Sequence, residues 1–172
     1  EQGAKIVTNN RRPGSTGNAI LTEEQVALLD SEKREWYRKE TAAISGDAET
    51  TARTIRGKGG DAVPFFGDIC DYNVAGELIR TAVDNFGKID ILINVAGAFG
   101  FGRAETMTEE LWDRVTKVKI KGYFNCIRHA LPHMIKQKWG RIINCTSKAF
   151  NSDIIKHAEY LSLIHISEPT RP

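Results

Sequence analysis

The chain alternates short apolar runs with stripes of apolar residues spaced three or four positions apart. The short runs predict β-strands, and the stripes predict amphipathic helices. The run at residues 89–95 is almost unbroken in apolar character, which predicts a strand buried on both faces. The predicted strands cover residues 4–9, 62–66, 89–95 and 141–145, and the predicted helices cover residues 22–43, 47–56, 74–86 and 108–138.

Glycine and proline mark the ends of several predicted elements. Gly57 and the pair at residues 59–60 end the second helix, and Gly87 ends the third. Pro132 lies inside the last predicted helix, where it should kink the helix or weaken one turn.

This order of strands and helices predicts an α/β fold, a doubly wound, Rossmann-like parallel sheet that is incomplete here, in one domain over residues 1–160. Ligands of such sheets bind beyond the carboxyl ends of the strands. Polar or glycine-bearing segments follow all four predicted strands, at residues 9–11, 67–69, 94–97 and 146–147. We therefore expect these four ends to converge on one ligand crevice.

Composition narrows the class of protein without naming an activity. Apolar residues make up 41% and charged residues 27% of the chain, as in an ordinary soluble globular protein. A net charge of +2 gives no reason to expect a nucleic-acid partner, and no apolar run is long enough to span a membrane. The three cysteines lack metal-type spacing, which predicts reduced thiols and a cytoplasmic protein.

Four motifs together resemble those of the short-chain dehydrogenase/reductase family over residues 4–160. The Asn-Val-Ala-Gly sequence at residues 94–97 resembles the family's Asn-Asn-Ala-Gly motif, with Val95 in place of its second Asn. The Asp-Ile pair at residues 68–69 resembles the pair that contacts adenine. The strand from Gly140 leads to Ser147, and Tyr160 follows thirteen positions later, at the family's spacing.

The resemblance implies hydride transfer between a nicotinamide ring and a carbonyl or carbinol carbon. Tyr160 would then exchange a proton with the substrate oxygen, and Ser147 would hydrogen-bond that oxygen. A free phenol has a pKa of about 10, and the family lowers it with a Lys four residues after the Tyr, a position occupied here by Ile164. The plainer interpretations are a turn or capping Ser147 and a surface Tyr160.

The resemblance also implies where a dinucleotide would bind. Asn94, Ala96 and Gly97 would let the cofactor approach the backbone closely, and Asp68 with Ile69 would contact the adenine. Lys119 stands where many family members have an Asn in the long helix, so a proton relay at Lys119 is in doubt. The alternatives are a plain turn at residues 94–97 and a solvated carboxylate at Asp68.

The end of the first strand bears on the choice of cofactor. An acidic residue there would bind the ribose 2′-hydroxyl of NAD, whereas this chain has Asn10 followed by Arg11 and Arg12. Arginine suits a 2′-phosphate, so NADP is favoured over NAD. The alternative is that both arginines are solvated loop charges.

Both ends of the chain depart from the family pattern. The family's Gly-rich phosphate turn would precede Glu1, so we expect a fragment truncated at both ends. Residues 161–172 resemble a translated sequencing adapter, and we expect them to be a non-native tail. A fragment of this kind should be inactive and should expose open sheet edges.

The parent protein is expected to act on a small-molecule alcohol or ketone, including a 3-oxoacyl or hydroxyacyl compound, as a homodimer or homotetramer. Two alternatives remain: a nucleotide-binding member of the same fold without catalysis, and an unrelated doubly wound protein. The helix predicted at residues 22–43 is an insertion relative to compact members. It is interpreted as a surface helix or as a flap or oligomer contact.

Overall fold

The computed structural model describes residues 3–15, 46–98 and 108–145, together with residues 26, 27, 30–32, 34, 35 and 38. These residues form two compact units that divide between Phe66 and Gly67. Most of the helix predicted at residues 22–43 lies outside the described residues, as do Ser147 and Tyr160. The roles expected of those residues, the single domain and the convergence of four strand ends stay predictions.

The first unit is a parallel strand pair covered by a helix. Strand β1 (Lys5–Asn10) pairs in parallel with β2 (Asp61–Phe66), and helix α1 (Ala48–Gly57) packs on both strands. Because Ala48 and Ala52 are small and fully buried, the helix axis can approach the strands closely. The parallel pairing confirms the arrangement that the strand–helix–strand pattern predicted.

The second unit contains a second parallel pair, β3 (Ile91–Asn94) and β4 (Arg141–Asn144). Helix α2 (Tyr72–Phe86) precedes β3. Between β3 and β4 lie helix α3 (Glu109–Thr116), a π-helical segment (Lys117–Gly122) and helix α4 (Tyr123–Lys136).

Local signals in the sequence account for both ends of α2. The side chain of Asp71 accepts hydrogen bonds from the amides of Asn73 and Val74 and so caps the first turn. Gly87 ends the helix with φ of 79°, in the left-handed region that glycine enters without penalty. The predicted stop at Gly87 is confirmed.

Helices α2 and α4 bury one face of the β3–β4 pair. The core cluster consists of Ile69, Ala75, Ile79, Ile89, Leu92, Cys126, Ala130 and Met134. The prediction that residues 89–95 form a strand buried on both faces is wrong, because Ile91 and Ile93 are 51% and 59% exposed. Side chains alternate across a strand, and the helical core covers only the face of Leu92.

The long predicted helix is interrupted at a place that the sequence did not predict. Helix α4 runs through Pro132 without ending, whereas the change in hydrogen bonding lies in the π-helical segment of residues 117–122. A π turn accommodates one extra residue within a helix, and no glycine or proline rule of sequence reading predicts it. Among the residues that the structure describes, no helix is both long and apolar enough to cross a bilayer.

Candidate active site

The carboxyl ends of β3 and β4 are tied together by a side-chain pair as well as by the backbone. Asn94, the last residue of β3, is 4% exposed, and its Nδ2 donates to Oδ1 of Asn144 at 2.9 Å. The amide of Cys145 donates to the carbonyl of Asn94 at 2.8 Å. The start of the segment at residues 94–97 is therefore fixed against β4.

The next part of the 94–97 segment is held by Tyr123 at the start of α4. The hydroxyl of Tyr123 donates to the carbonyl of Ala96 at 2.8 Å. Lys119 Nζ donates to the same hydroxyl at 3.4 Å. A Cβ atom at position 97 would lie 3.2 Å from Lys119 Cε and 3.3 Å from Nζ, so Gly97 gives the lysine its room.

Lys119 thus lies beside the 94–97 segment. Burial lowers the pKa of the Lys119 ammonium from its usual value, and the nearby thiol of Cys145 acts in the opposite direction. The ammonium is half-buried and also lies 5.6 Å from the centroid of the Tyr123 ring. The structure therefore brings together Asn94, Ala96, Gly97 and Lys119.

The predicted adenine-contacting pair splits into one exposed and one buried side chain. Asp68 is exposed, and its Oδ1 accepts from the amide of Cys70 at 2.9 Å. Ile69 is 7% exposed and belongs to the core, and its carbonyl accepts from Nδ2 of the buried Asn125 at 2.9 Å. Asp68 can offer a carboxylate to a ligand, whereas most of Ile69 is committed to packing.

Burial keeps two of the thiols protonated. Burial is the largest cause of the raised pKa of Cys70, about 12, and the side chain of Asp68 adds to it. Burial alone raises the pKa of Cys126 to about 11. Neither thiol is a thiolate nucleophile near neutral pH, which leaves them as packing groups.

In the first unit, the loop after β1 folds back on the start of α1. Asn10 Nδ2 donates to the carbonyl of Ser15 at 2.7 Å, and the amide of Gly14 donates to Oδ2 of Asp47 at 2.9 Å. The amides of Gly14 and Thr50 lower the pKa of Asp47. Arg11, predicted to bind the cofactor, and its neighbour Arg12 are both exposed in this loop.

Three residues that contribute to this geometry were not singled out from the sequence: Tyr123, Asn125 and Asn144. Tyr123 follows Lys119 by four positions, a spacing that places two helical side chains on one face. Asn125 interrupts an apolar helical stripe, and Asn144 stands at the end of β4 as Asn94 does at the end of β3. These signals were present, but each has a common structural explanation.

The fold and this segment agree with the comparison to known families. The sequence model described as short chain dehydrogenase matches residues 39–162. The chain therefore belongs to the short-chain dehydrogenase family, and the resemblance and the α/β fold class predicted from the sequence are confirmed.

Individual relatives match with moderate identity. The chain is 36% identical over 100 residues to a 3-oxoacyl-[acyl-carrier-protein] reductase of Staphylococcus aureus, a match that covers 58% of this chain and 41% of the relative. The crystal structure of a short chain dehydrogenase from Mycobacterium avium is similar with a TM-score of 0.70 and 27% identity, over 95% of this chain and 51% of that one. The crystal structure of an NAD+-bound xylitol dehydrogenase is similar with a TM-score of 0.64 and 28% identity, over 68% of this chain and 45% of that one. The chain thus spans about half the length of these proteins or less.

Proposed function

We propose that this chain is part of an NAD(P)-dependent oxidoreductase that transfers a hydride between nicotinamide and an alcohol or ketone. The observation that carries the proposal is the 94–97 segment, which is small, open and tied at the carboxyl ends of two parallel strands. Asn94 is fixed by Asn144, and Ala96 by Tyr123. Strand ends of this kind are where α/β sheets bind their ligands.

The residues present fit a dinucleotide. Ala96 is exposed and Gly97 half-buried, so neither residue carries a large side chain of its own that would prevent a flat ring from approaching the backbone. The exposed carboxylate of Asp68 can accept a hydrogen bond from an adenine amino group. A bound dinucleotide would supply or accept the hydride.

The catalytic groups of this proposal are Ser147 and Tyr160. Ser147 comes three positions after Asn144, the last residue of β4. In the proposed reduction, Tyr160 gives a proton to the substrate oxygen while Ser147 hydrogen-bonds that oxygen as negative charge develops. The similarity to a 3-oxoacyl-[acyl-carrier-protein] reductase favours a 3-oxoacyl or hydroxyacyl substrate.

NADP is the favoured cofactor, with NAD as the alternative. Arg11 and Arg12 are exposed in a loop that Asn10 and Gly14 hold in place, so either guanidinium can meet a 2′-phosphate. The NAD+-bound relative keeps the alternative open. A double variant, Arg11→Ala with Arg12→Ala, tests the assignment.

The test is fluorescence titration of the full chain with NADPH and with NADH. The double variant should weaken NADPH binding about tenfold or more, because hydrogen bonds to charged groups are lost, and should change NADH binding little. Arg80→Ala, an exposed arginine of α2, is the matched control. Equal losses for both cofactors would refute the 2′-phosphate assignment, and absence of binding by the unchanged chain would refute the cofactor site.

A nucleotide-binding protein without catalysis is the second candidate. Lys119 in place of the family's Asn favours it, and a parent protein without a Lys four residues after Tyr160 would favour it further. Tight binding of NADPH by the full-length parent protein, with no oxidation in the presence of a 3-oxoacyl thioester, would support this candidate over the enzyme.

Self-association as a homodimer or homotetramer is also part of the proposal. Ile120, Phe124, Leu131 and Ile135 are 47%, 57%, 38% and 70% exposed and follow helical spacing along the π segment and α4. An exposed apolar stripe of this length is typical of an interaction surface. Sedimentation should show a dimer or tetramer for the unchanged chain and its loss in Phe124→Glu. A monomer in both would contradict self-association through this stripe.

A further inference from the structure

Tyr123 is a buried residue whose polar atom points out of the core. It is 8% exposed, stands at the first position of α4 and follows the π segment directly. Its ring is covered while its hydroxyl donates to the carbonyl of Ala96 at 2.8 Å. A buried phenol usually needs such a partner, and here the partner is the backbone of the 94–97 segment.

Lys119 contacts Tyr123 and lies beside the 94–97 segment. Its Nζ lies 3.4 Å from the Tyr123 hydroxyl and 5.6 Å from the ring centroid, and a Cβ atom at position 97 would lie only 3.3 Å from it. The ammonium therefore orients the phenol oxygen, and the phenol hydrogen is left to bond Ala96. Tyr123 thus bonds the backbone at Ala96, and Lys119 lies beside the next residue, Gly97.

We propose that Tyr123, oriented by Lys119, is a positioning residue that holds the 94–97 segment in the shape that receives the cofactor. The proposal rests on the proposed function, because cofactor binding at this segment is itself proposed. In this chain Lys119 then serves to orient Tyr123, a role that does not require it to relay a proton. Neither side chain needs to touch the cofactor.

A packing role alone would give a different result. If the ring of Tyr123 only fills space, removing its hydroxyl should leave the 94–97 segment unchanged. Tyr123→Phe keeps the ring and deletes the bond to Ala96. Tyr72→Phe is the matched control, because it makes the same chemical change at a half-exposed tyrosine of α2, 43% exposed.

The experiment measures amide hydrogen exchange in peptides spanning residues 94–98 of the full chain without cofactor, and then NADPH binding. In Tyr123→Phe we expect exchange about three- to tenfold faster and NADPH binding weaker by a similar factor, the effect of losing one hydrogen bond. Tyr72→Phe should change neither. Unchanged exchange in Tyr123→Phe overturns the positioning role, even where NADPH still binds.

A second pair of variants guards against failure of Tyr123→Phe to fold. Lys119→Met keeps the aliphatic stem and removes the ammonium, and Lys121→Met is its control at an exposed position of the same π segment. Lys119→Met should also make exchange at residues 94–98 faster, as Tyr123→Phe does, and Lys121→Met should not. If the unchanged chain binds neither NADPH nor NADH, the cofactor part of the proposal falls with the proposed function, whereas the exchange data still decide whether Tyr123 holds the segment.

Discussion

The two parallel strand pairs end in different ways. At the end of β3 and β4, the side-chain amide of Asn94 donates a hydrogen bond to the side-chain oxygen of Asn144, and Asn94 is buried. At the end of β1, Asn10 bonds the carbonyl of Ser15, and Arg11 stands exposed in the loop that follows. Both ends carry residues that the family resemblance assigns to a cofactor.

The difference separates residues that the fold must keep from residues that it can exchange. A buried amide that loses its partner costs free energy of unfolding, because water cannot replace the bond. Removing an exposed guanidinium changes the free energy of unfolding little, because the group was already solvated. The β3–β4 end should therefore resist substitution, whereas the β1 end should tolerate substitution at small cost in stability.

The largest expected effect is at Asn125, which supports the β3–β4 unit from α4. Asn125→Ala leaves the carbonyl of Ile69 without its bond from Nδ2, and should lower the free energy of unfolding by about 2 kcal/mol. Urea denaturation measures the loss. Asn73→Ala, at an exposed position of α2, should cost much less, and equal costs would show that burial does not set the scale.

A smaller effect is expected at Asn144. Asn144→Ala removes the acceptor for Asn94 Nδ2 and should cost about 1 kcal/mol of unfolding free energy. Asn144→Asp retains an acceptor oxygen at an exposed position and should stay close to the unchanged protein. If thermal unfolding finds the two variants equally destabilised, the Asn94–Asn144 bond is not the cause.

In the first unit, Asp47 should give a pH-dependent effect. Its pKa is lowered below 3.8 in the folded chain by the amides of Gly14 and Thr50, so its charge stabilises the fold above pH 3.8. That contribution is lost as the pH falls from 3.8 through the lowered value, because the carboxyl becomes protonated. Asp47→Asn should therefore lower Tm at neutral pH and approach the unchanged protein in acid.

The control for this pH profile is Asp84→Asn, an exposed carboxylate of α2. Thermal melts of the three proteins between neutral and strongly acidic pH decide the point. A difference for Asp47→Asn that persists undiminished in acid would assign it to lost shape in the loop after β1, not to charge.

The smallest expected effect is at Arg11. Arg11→Ala should change the free energy of unfolding by no more than about 0.5 kcal/mol, as exposed substitutions usually do. Urea denaturation checks this value. A loss as large as that of Asn144→Ala would remove the contrast between the two strand ends.

Much of the fold could be predicted from the chain, since local signals determine it. Asp71 caps the first turn of α2, and Gly87 ends the helix with a positive φ. The strand–helix alternation predicted both parallel pairs. Burial of both faces of β3 was wrongly predicted because an apolar run does not reveal what covers it. Ile91 and Ile93 are as apolar as Leu92, yet only Leu92 meets the helices.

The candidate site, like the fold, was predicted only in part from the sequence. The resemblance assigned Lys119 and Gly97 separately to the cofactor, and the structure brings them together. Tyr123 was not predicted, because a tyrosine in an amphipathic helix usually only packs, and its bond to Ala96 joins residues far apart in sequence. The catalytic roles of Ser147 and Tyr160 stay predictions.

The π-helical segment has a consequence for comparing this chain with its relatives residue by residue. A π turn holds one residue more than an α turn, and one residue of an α-helix turns the next side chain by about 100°. The extra residue of the segment at residues 117–122 is absorbed within its turn and so does not rotate α3 against α4 by that angle, and Val115 and Tyr123 on either side of it are both buried. A relative without the extra residue should form an α turn there and keep the same inward-facing side chains on both sides. Alignments across this helix should therefore be anchored separately on Val115 and on Tyr123, with any one-residue gap placed between them.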